Sequence, residues 1–280
     1  MSREKIASKM VKYLEERINC ENVIKFADQT KENKMVAEKL IVDNTPIAFK
    51  IINYNDDENY IKKNKSDSND RLWLQNMFNT FDFMTEANYT GFEYFPYLYG
   101  VLNCHNDENS KVYLFYEFFD GNLVELINQI GHPSEWYDIV FQMIMINYYI
   151  QSMNGYQYNN GILQNHLYKK LSKPYYKEYQ IENHIFNINH KYLIALWDFV
   201  FIVKTPENKN EIITNIDYLL NFLTENKDKI KIPPSGRIIK LLHDIKNNPN
   251  NTIDVLFQYY GPSDKQSDKS SSDKPENSNQ

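Results

Sequence analysis

A chain of 280 residues at 42% hydrophobic content can fill one large domain or two lobes and bury a substantial core, which excludes global disorder. A formal net charge of −6 disfavours a general nucleic-acid-binding surface, although a local basic patch stays open, and no nucleic-acid partner is expected. The longest apolar stretch, Ile139 to Ile150, is interrupted by Gln142 and Asn147 and is too short to span a bilayer, so no membrane partner is expected either.

The chain opens with Ser2-Arg-Glu-Lys5 and runs into an amphipathic pattern, unlike a secretory signal peptide, so a non-secreted protein is expected. Ile6, Met10, Tyr13, Leu14 and Ile18 recur at helical spacing and predict a helix over Ser2 to Asn19, docked on the domain or offered to a partner. Val23-Ile24-Lys25-Phe26 reads as the start of a strand, Asp28 to Met35 as a polar turn, and Val36 to Leu40 as its resumption. Glu38 to Val42, the turn Asp43-Asn44-Thr45-Pro46 and Ile47 to Ile52 predict a hairpin. Period-two alternation puts Ala48, Lys50 and Ile52 on one face and Ile47, Phe49 and Ile51 on the other. Lys50, in an otherwise apolar strand, needs a counter-charge or solvent, and snorkelling from an edge strand would also serve.

Asn53 to Asp70 reads as a polar connection, and Arg71 to Asn88 as a helix with Glu86 near its end. Tyr97 to Val101 and Lys111 to Phe119 read as strands around a loop from Asn103 to Ser110. Cys20 and Cys104, the two cysteines, form no CxxC pair and suit a reducing cytosol better than a disulfide framework. The six histidines have no ligand spacing; His105 reads as a loop histidine, and no zinc is expected. Tyr116 to Leu123 reads as a strand-to-helix turn, Glu135 to Met153 as a long central helix, and Leu167 to Asn189 as a solvated hairpin. Glu211 to Glu225, Ser235 to Asn247 and Thr252 to Tyr260 are apolar-periodic and predict a small helical lobe. The tail from Gly261 to Gln280 repeats Ser-Asp-Lys three times and reads as disordered.

Two stretches carry chemistry. Tyr158-Asn159-Asn160-Gly161-Ile162-Leu163-Gln164-Asn165 precedes Leu167-Tyr168, and the apolar run from Tyr192 ends in Trp197-Asp198-Phe199-Val200. Asn165 and Asp198 are hard oxygen ligands of the kind that magnesium accepts. The pattern resembles eukaryotic-type protein kinases, which carry a catalytic-loop Asp, an Asn five positions later and a D-F-G Asp. It resembles more closely the kinase-like proteins of large nucleocytoplasmic DNA viruses, whose loop runs N-D-x-H-x-G-N before Leu-Tyr, with a Tyr- and Lys-rich insert leading to W-D-F-G. The catalytic Asp position is held here by Asn160. Ala48-Phe49-Lys50 resembles the kinase A-x-K strand, which implies Ala48 against adenine and Lys50 on phosphate. Glu86 lies nine residues before Phe95-Pro96, as the Lys-pairing glutamate does in kinases, though a solvated helix end would explain it equally. Glu117 falls in the stretch resembling the hinge, where backbone groups meet adenine.

The departures are as informative. No glycine precedes Gly91, so the segment that would lie over the ATP phosphates carries a Cβ at every residue. Val200 replaces the Gly after Asp-Phe, and no Ala-Pro-Glu segment follows. An Asn160 amide can orient a hydroxyl but accepts no proton, and a general base is worth roughly 10²–10⁴-fold.

The resemblance implies a two-lobed, protein-kinase-like α+β fold. Its expected parts are an N-terminal helix over 1–22, an antiparallel-sheet lobe over 23–119, a helical lobe over 120–260 with a hairpin insertion near 167–192, and the tail 261–280. The function implied is that of a pseudokinase with weak or no phosphoryl transfer, an interaction module for a host or viral protein, with ATP and Mg²⁺ as the expected cofactors. Two alternatives stay open: an active Ser/Thr protein kinase with atypical machinery acting on a protein substrate, and a non-enzymatic structural virion or host-interaction protein. The resemblance also implies host cytoplasm or virion as the location.

Overall fold

A computed structural model describes residues 2–27, 38–54, 87, 93–105, 110–152, 156–158, 162–197, 202–204 and 211–261. Helix α1 spans Arg3–Arg17; its N-cap Ser2 accepts the Lys5 amide, and Ala7, Met10 and Leu14 form the buried stripe. The next segment corrects the sequence reading. Where Val23-Ile24-Lys25-Phe26 predicts a strand, the chain forms helix α2, Cys20–Ala27. The Asn19 side-chain oxygen accepts the amides of Glu21 and Asn22, and this cap decides the segment against its β-branched residues.

Strands β1 (Glu38–Val42) and β2 (Thr45–Tyr54) form the expected hairpin, with a tighter turn than expected. Val42 pairs with Thr45, leaving Asp43 and Asn44 alone in the turn, both at positive φ (47° and 60°), which Asp and Asn tolerate best among residues with a side chain. Strand β2 continues through Tyr54, past the start of the expected polar connection. Strands β3 (Leu98–His105) and β4 (Ser110–Glu117) complete an antiparallel sheet in the order β1-β2-β4-β3. His105 closes β3, pairing with Ser110, rather than lying in a loop. The two faces divide as the alternation predicts: Ile47, Phe49, Tyr113 and Phe115 pack under α1, while Ala48, Leu114 and Tyr116 enter the main core.

A second correction concerns the cysteines. Cys20 at the start of α2 and Cys104 near the end of β3 are joined in a disulfide, with Cα atoms 5.6 Å apart across a sequence separation of 84. Spacing in sequence says nothing about pairs that only the fold brings together.

Past the sheet come β5 (Gly121–Asn122), the short helix α3 (Leu123–Ile127) capped by Asn122, and helix α4 (Glu135–Ser152), buried on most of its faces. Strand β6 (Tyr156–Tyr158) pairs with β9 (Ile202–Lys204). A single 3-10 turn, Leu163–Asn165, leads into the long strand β7 (His166–Ile181), which pairs with β8 (His184–Leu196). This hairpin is only half solvated. Its residues alternate, and Phe186, Ile188, His190 and Tyr192 turn inward toward the core that α4 anchors. Helices α5 (Glu211–Glu225), α6 (Gly236–Asn247, N-capped by Ser235) and α7 (Thr252–Tyr260) follow as expected.

The fold is therefore α+β and two-lobed, a small antiparallel sheet followed by a mainly helical half. Of the predicted helix Arg71–Asn88 only Ala87 is described, helical and buried. The turn Asp28 to Met35, most of the connection Asn53 to Asp70 and the tail beyond Gly261 lie outside the described residues. Among those residues, no helix is long and apolar enough to cross a membrane.

Candidate functional site

The pairings Lys39↔Ala48 and Ala48↔Tyr116 set three side chains in a row across the sheet, on the face toward the helical lobe. Lys50, opposite Leu114, is one step further along the same face. The other wall comes from the end of β8. The Trp197 amide donates to the Asn165 carbonyl at 2.7 Å and the Leu196 amide to the Tyr94 carbonyl at 3.0 Å, which fixes Trp197 beside the 3-10 turn.

The Trp197 ring lies on Tyr116 with centroids 4.0 Å apart and planes inclined by 22°. The Lys50 ammonium lies 5.5 Å from the centroid of Trp197, within cation-π range. Lys39 lies 4.6 Å over Phe118, at the start of the strand-to-helix connection. Lys50 thus meets its requirement with an aromatic face and partial exposure.

Ala48, Lys50 and Asn165 are brought to one place by Trp197, the residue next to Asp198. Asp198 itself, Asn160 and Glu86 lie outside the described residues. The row does not fit an adenine in this arrangement. Rings 4.0 Å apart are in direct contact, and Ala48 and Tyr116 are 5% and 2% exposed, so the protein's own side chains cover the strand face that would meet the base. For a metal, Asn165 is buried, and no group of three His, Cys, Asp or Glu able to hold an ion occurs among the described residues.

Glu117 has a different setting from the hinge role. Its amide donates to the Tyr97 carbonyl at 2.8 Å. Its buried carboxylate receives a forked contact from Arg3 (Nη2 2.6 Å, Nε 3.0 Å) and a third from Lys169 at 3.0 Å. Arg3 also donates to the carbonyls of Glu93 and Phe95. Burial alone would raise the Glu117 pKa, but the Arg3 and Lys169 charges and hydrogen bonds outweigh it and hold the carboxyl below its ordinary value. One carboxylate therefore joins α1, the strand leading out of the sheet and the hairpin. Nothing local in the sequence marks Arg3 or Lys169 as its partners.

A second polar cluster fastens the hairpin to α4. Asp138 accepts from His190 Nδ1 (2.7 Å) and Gln142 (2.6 Å) on one oxygen and from the Lys191 and Tyr192 amides on the other. His190 Nε2 meets the Tyr179 hydroxyl at 2.6 Å, which meets Tyr94 at 2.8 Å. The groups are buried apart from the half-buried Tyr179 and are mutually satisfied, which makes the chain a structural fastening. His166, beside Asn165, is fully buried; burial pushes its pKa down to about 4, so the ring is neutral at physiological pH.

No family model matches the chain. Among solved structures, a divergent kinase lacking the glycine-rich loop, which regulates membrane ultrastructure of the Toxoplasma parasitophorous vacuole, aligns over 90% of this chain and 89% of its own. That alignment has a TM-score of 0.47 at 10% identity, too low to carry fold or function from one chain to the other. In sequence, the chain is 48% identical over 279 residues to the uncharacterized protein R691 of Acanthamoeba polyphaga mimivirus, covering 94% of this chain and 100% of that one. Identity at that level along the whole length leaves one conclusion: this chain belongs to the same family as the uncharacterized mimivirus protein.

Proposed function

We propose that this protein is a kinase-like interaction module, a pseudokinase whose cleft between the lobes is closed by its own aromatic side chains. The observation that carries this reading is the Trp197–Tyr116 stack with Lys50 held over the Trp197 face. Three features of the sequence support it. Asn160 stands where the resemblance requires a proton-accepting carboxylate, Val200 stands where it requires a Gly, and no glycine precedes Gly91. The ligand of such a module is another protein, of host or viral origin.

The preserved order of Lys50, Asn165 and Asp198 favours a second reading, in which Mg-ATP binds once Trp197 leaves Tyr116. Incubation with γ-labelled ATP, Mg²⁺ and a generic protein acceptor tests the loss of catalysis. The expected result is no transfer above the background of an Asp198→Ala variant. Transfer by the wild type that Asp198→Ala abolishes would make the protein an active, atypical kinase.

A further inference from the structure

We infer that the Cys20–Cys104 pair is a redox-controlled latch that docks helix α2 on the sheet lobe when oxidised and releases it when reduced. The latch acts independently of the state of the cleft. Helix α2 has eight residues, too few to be stable alone in water. Among its described side chains only Val23 is buried in the sheet-lobe core. Described hydrogen bonds also hold it at the α1–α2 corner: Asn19 caps its start, and Asn22 donates to the Arg17 carbonyl at 2.6 Å. Among the described residues, the strong tie from α2 to the sheet is the sulfur bridge to β3. Helix α1 has no such dependence, since Ala7, Met10 and Leu14 are buried and Arg3 is anchored on Glu117.

The chemistry is available to a small-molecule disulfide such as glutathione disulfide. Cys20 is the half-buried partner and Cys104 the buried one, so the Cys20 thiolate attacks first. That step forms a mixed disulfide and expels one glutathione thiolate. The Cys104 thiolate then attacks the Cys20 sulfur, closing the protein bridge and releasing the second. Two protein thiols are oxidised and one glutathione disulfide is reduced to two thiols. The Cα separation of 5.6 Å lies within the bridgeable range, and the fold holds it with β3 already paired to β4.

The test uses the full chain, equilibrated in glutathione mixtures from reducing to oxidising, with free thiols trapped by alkylation and backbone hydrogen exchange followed by mass spectrometry. Oxidation is expected to remove both alkylation sites together. Reduction is expected to speed exchange in residues 20–27 by about tenfold or more, with β2 and β4 unchanged. Cys20→Ala should show the fast rate at every ratio, and Cys104→Ser serves as a second variant should the first fold poorly. Thiols that stay alkylatable at every ratio would overturn the latch. So would α2 exchange that is equal in the oxidised and reduced chains.

Discussion

Glu117 is the residue on which helix α1, the sheet and the β7–β8 hairpin meet. A buried carboxylate with two cationic partners is costly to disrupt, because removing it leaves the Arg3 guanidinium buried without its counter-charge. Glu117→Ala is expected to lower stability by about 3–5 kcal/mol in urea unfolding, more than removal of the half-exposed Lys169 would. The same pair sets a pH dependence. Because the folded pKa is depressed, the contribution is fully present above the ordinary carboxylate range and is lost as pH falls through the folded value. In Glu117→Gln the stability deficit against wild type should therefore be largest near neutrality and shrink on acidification. A deficit constant from pH 7 to pH 3 would remove the charge from the explanation. The sequence marks Glu117 only as part of a hinge-like run. Its partners stand 114 and 52 residues away, and no periodicity links residues that touch through side-chain reach alone.

At the scale of elements, what could be read was whatever repeats at a fixed period. The β1–β2 hairpin, the three closing helices and the central helix α4 follow from alternation, caps and apolar stripes, and they lie where these signals put them. Helix α2 looks like a strand because Val23, Ile24 and Phe26 are β-branched or aromatic, and only the Asn19 cap marks the start of a helix. The β7–β8 hairpin was visible as an extended, Tyr-rich pair, but not its inward face. That face carries a buried phenyl ring, Phe186, against Phe141 of α4 and Phe257 of α7. Phe186→Ala should cost about 3–5 kcal/mol in equilibrium unfolding. Asp138→Ala should instead free the hairpin from α4, seen as faster amide exchange at Lys191 and Tyr192, whose N–H groups it accepts. If those amides stay protected while Phe186→Ala unfolds the protein, the aromatic contacts alone hold the hairpin.

At the scale of the molecule, the sheet lobe and the helical half meet at a row of side chains that a nucleotide would need to displace. The sequence foretold which strand face turns inward. It did not foretell that Trp197, the aromatic residue beside Asp198, would lie on Tyr116, because a stacking partner 81 positions away leaves no pattern in the chain. Aromatic contact and the Lys50 cation together stabilise the closed arrangement by about 1–3 kcal/mol. That is enough to keep the closed arrangement dominant and adds to the cost that any nucleotide entering the cleft must meet. Calorimetric titration of Mg-ATP into the wild-type protein, with Trp197→Ala and Lys50→Ala as companions, therefore tests the closed cleft most directly. The closed cleft predicts no saturable heat for wild type and, if any variant gains binding, Trp197→Ala. Saturable binding to wild type that Lys50→Ala removes would contradict it.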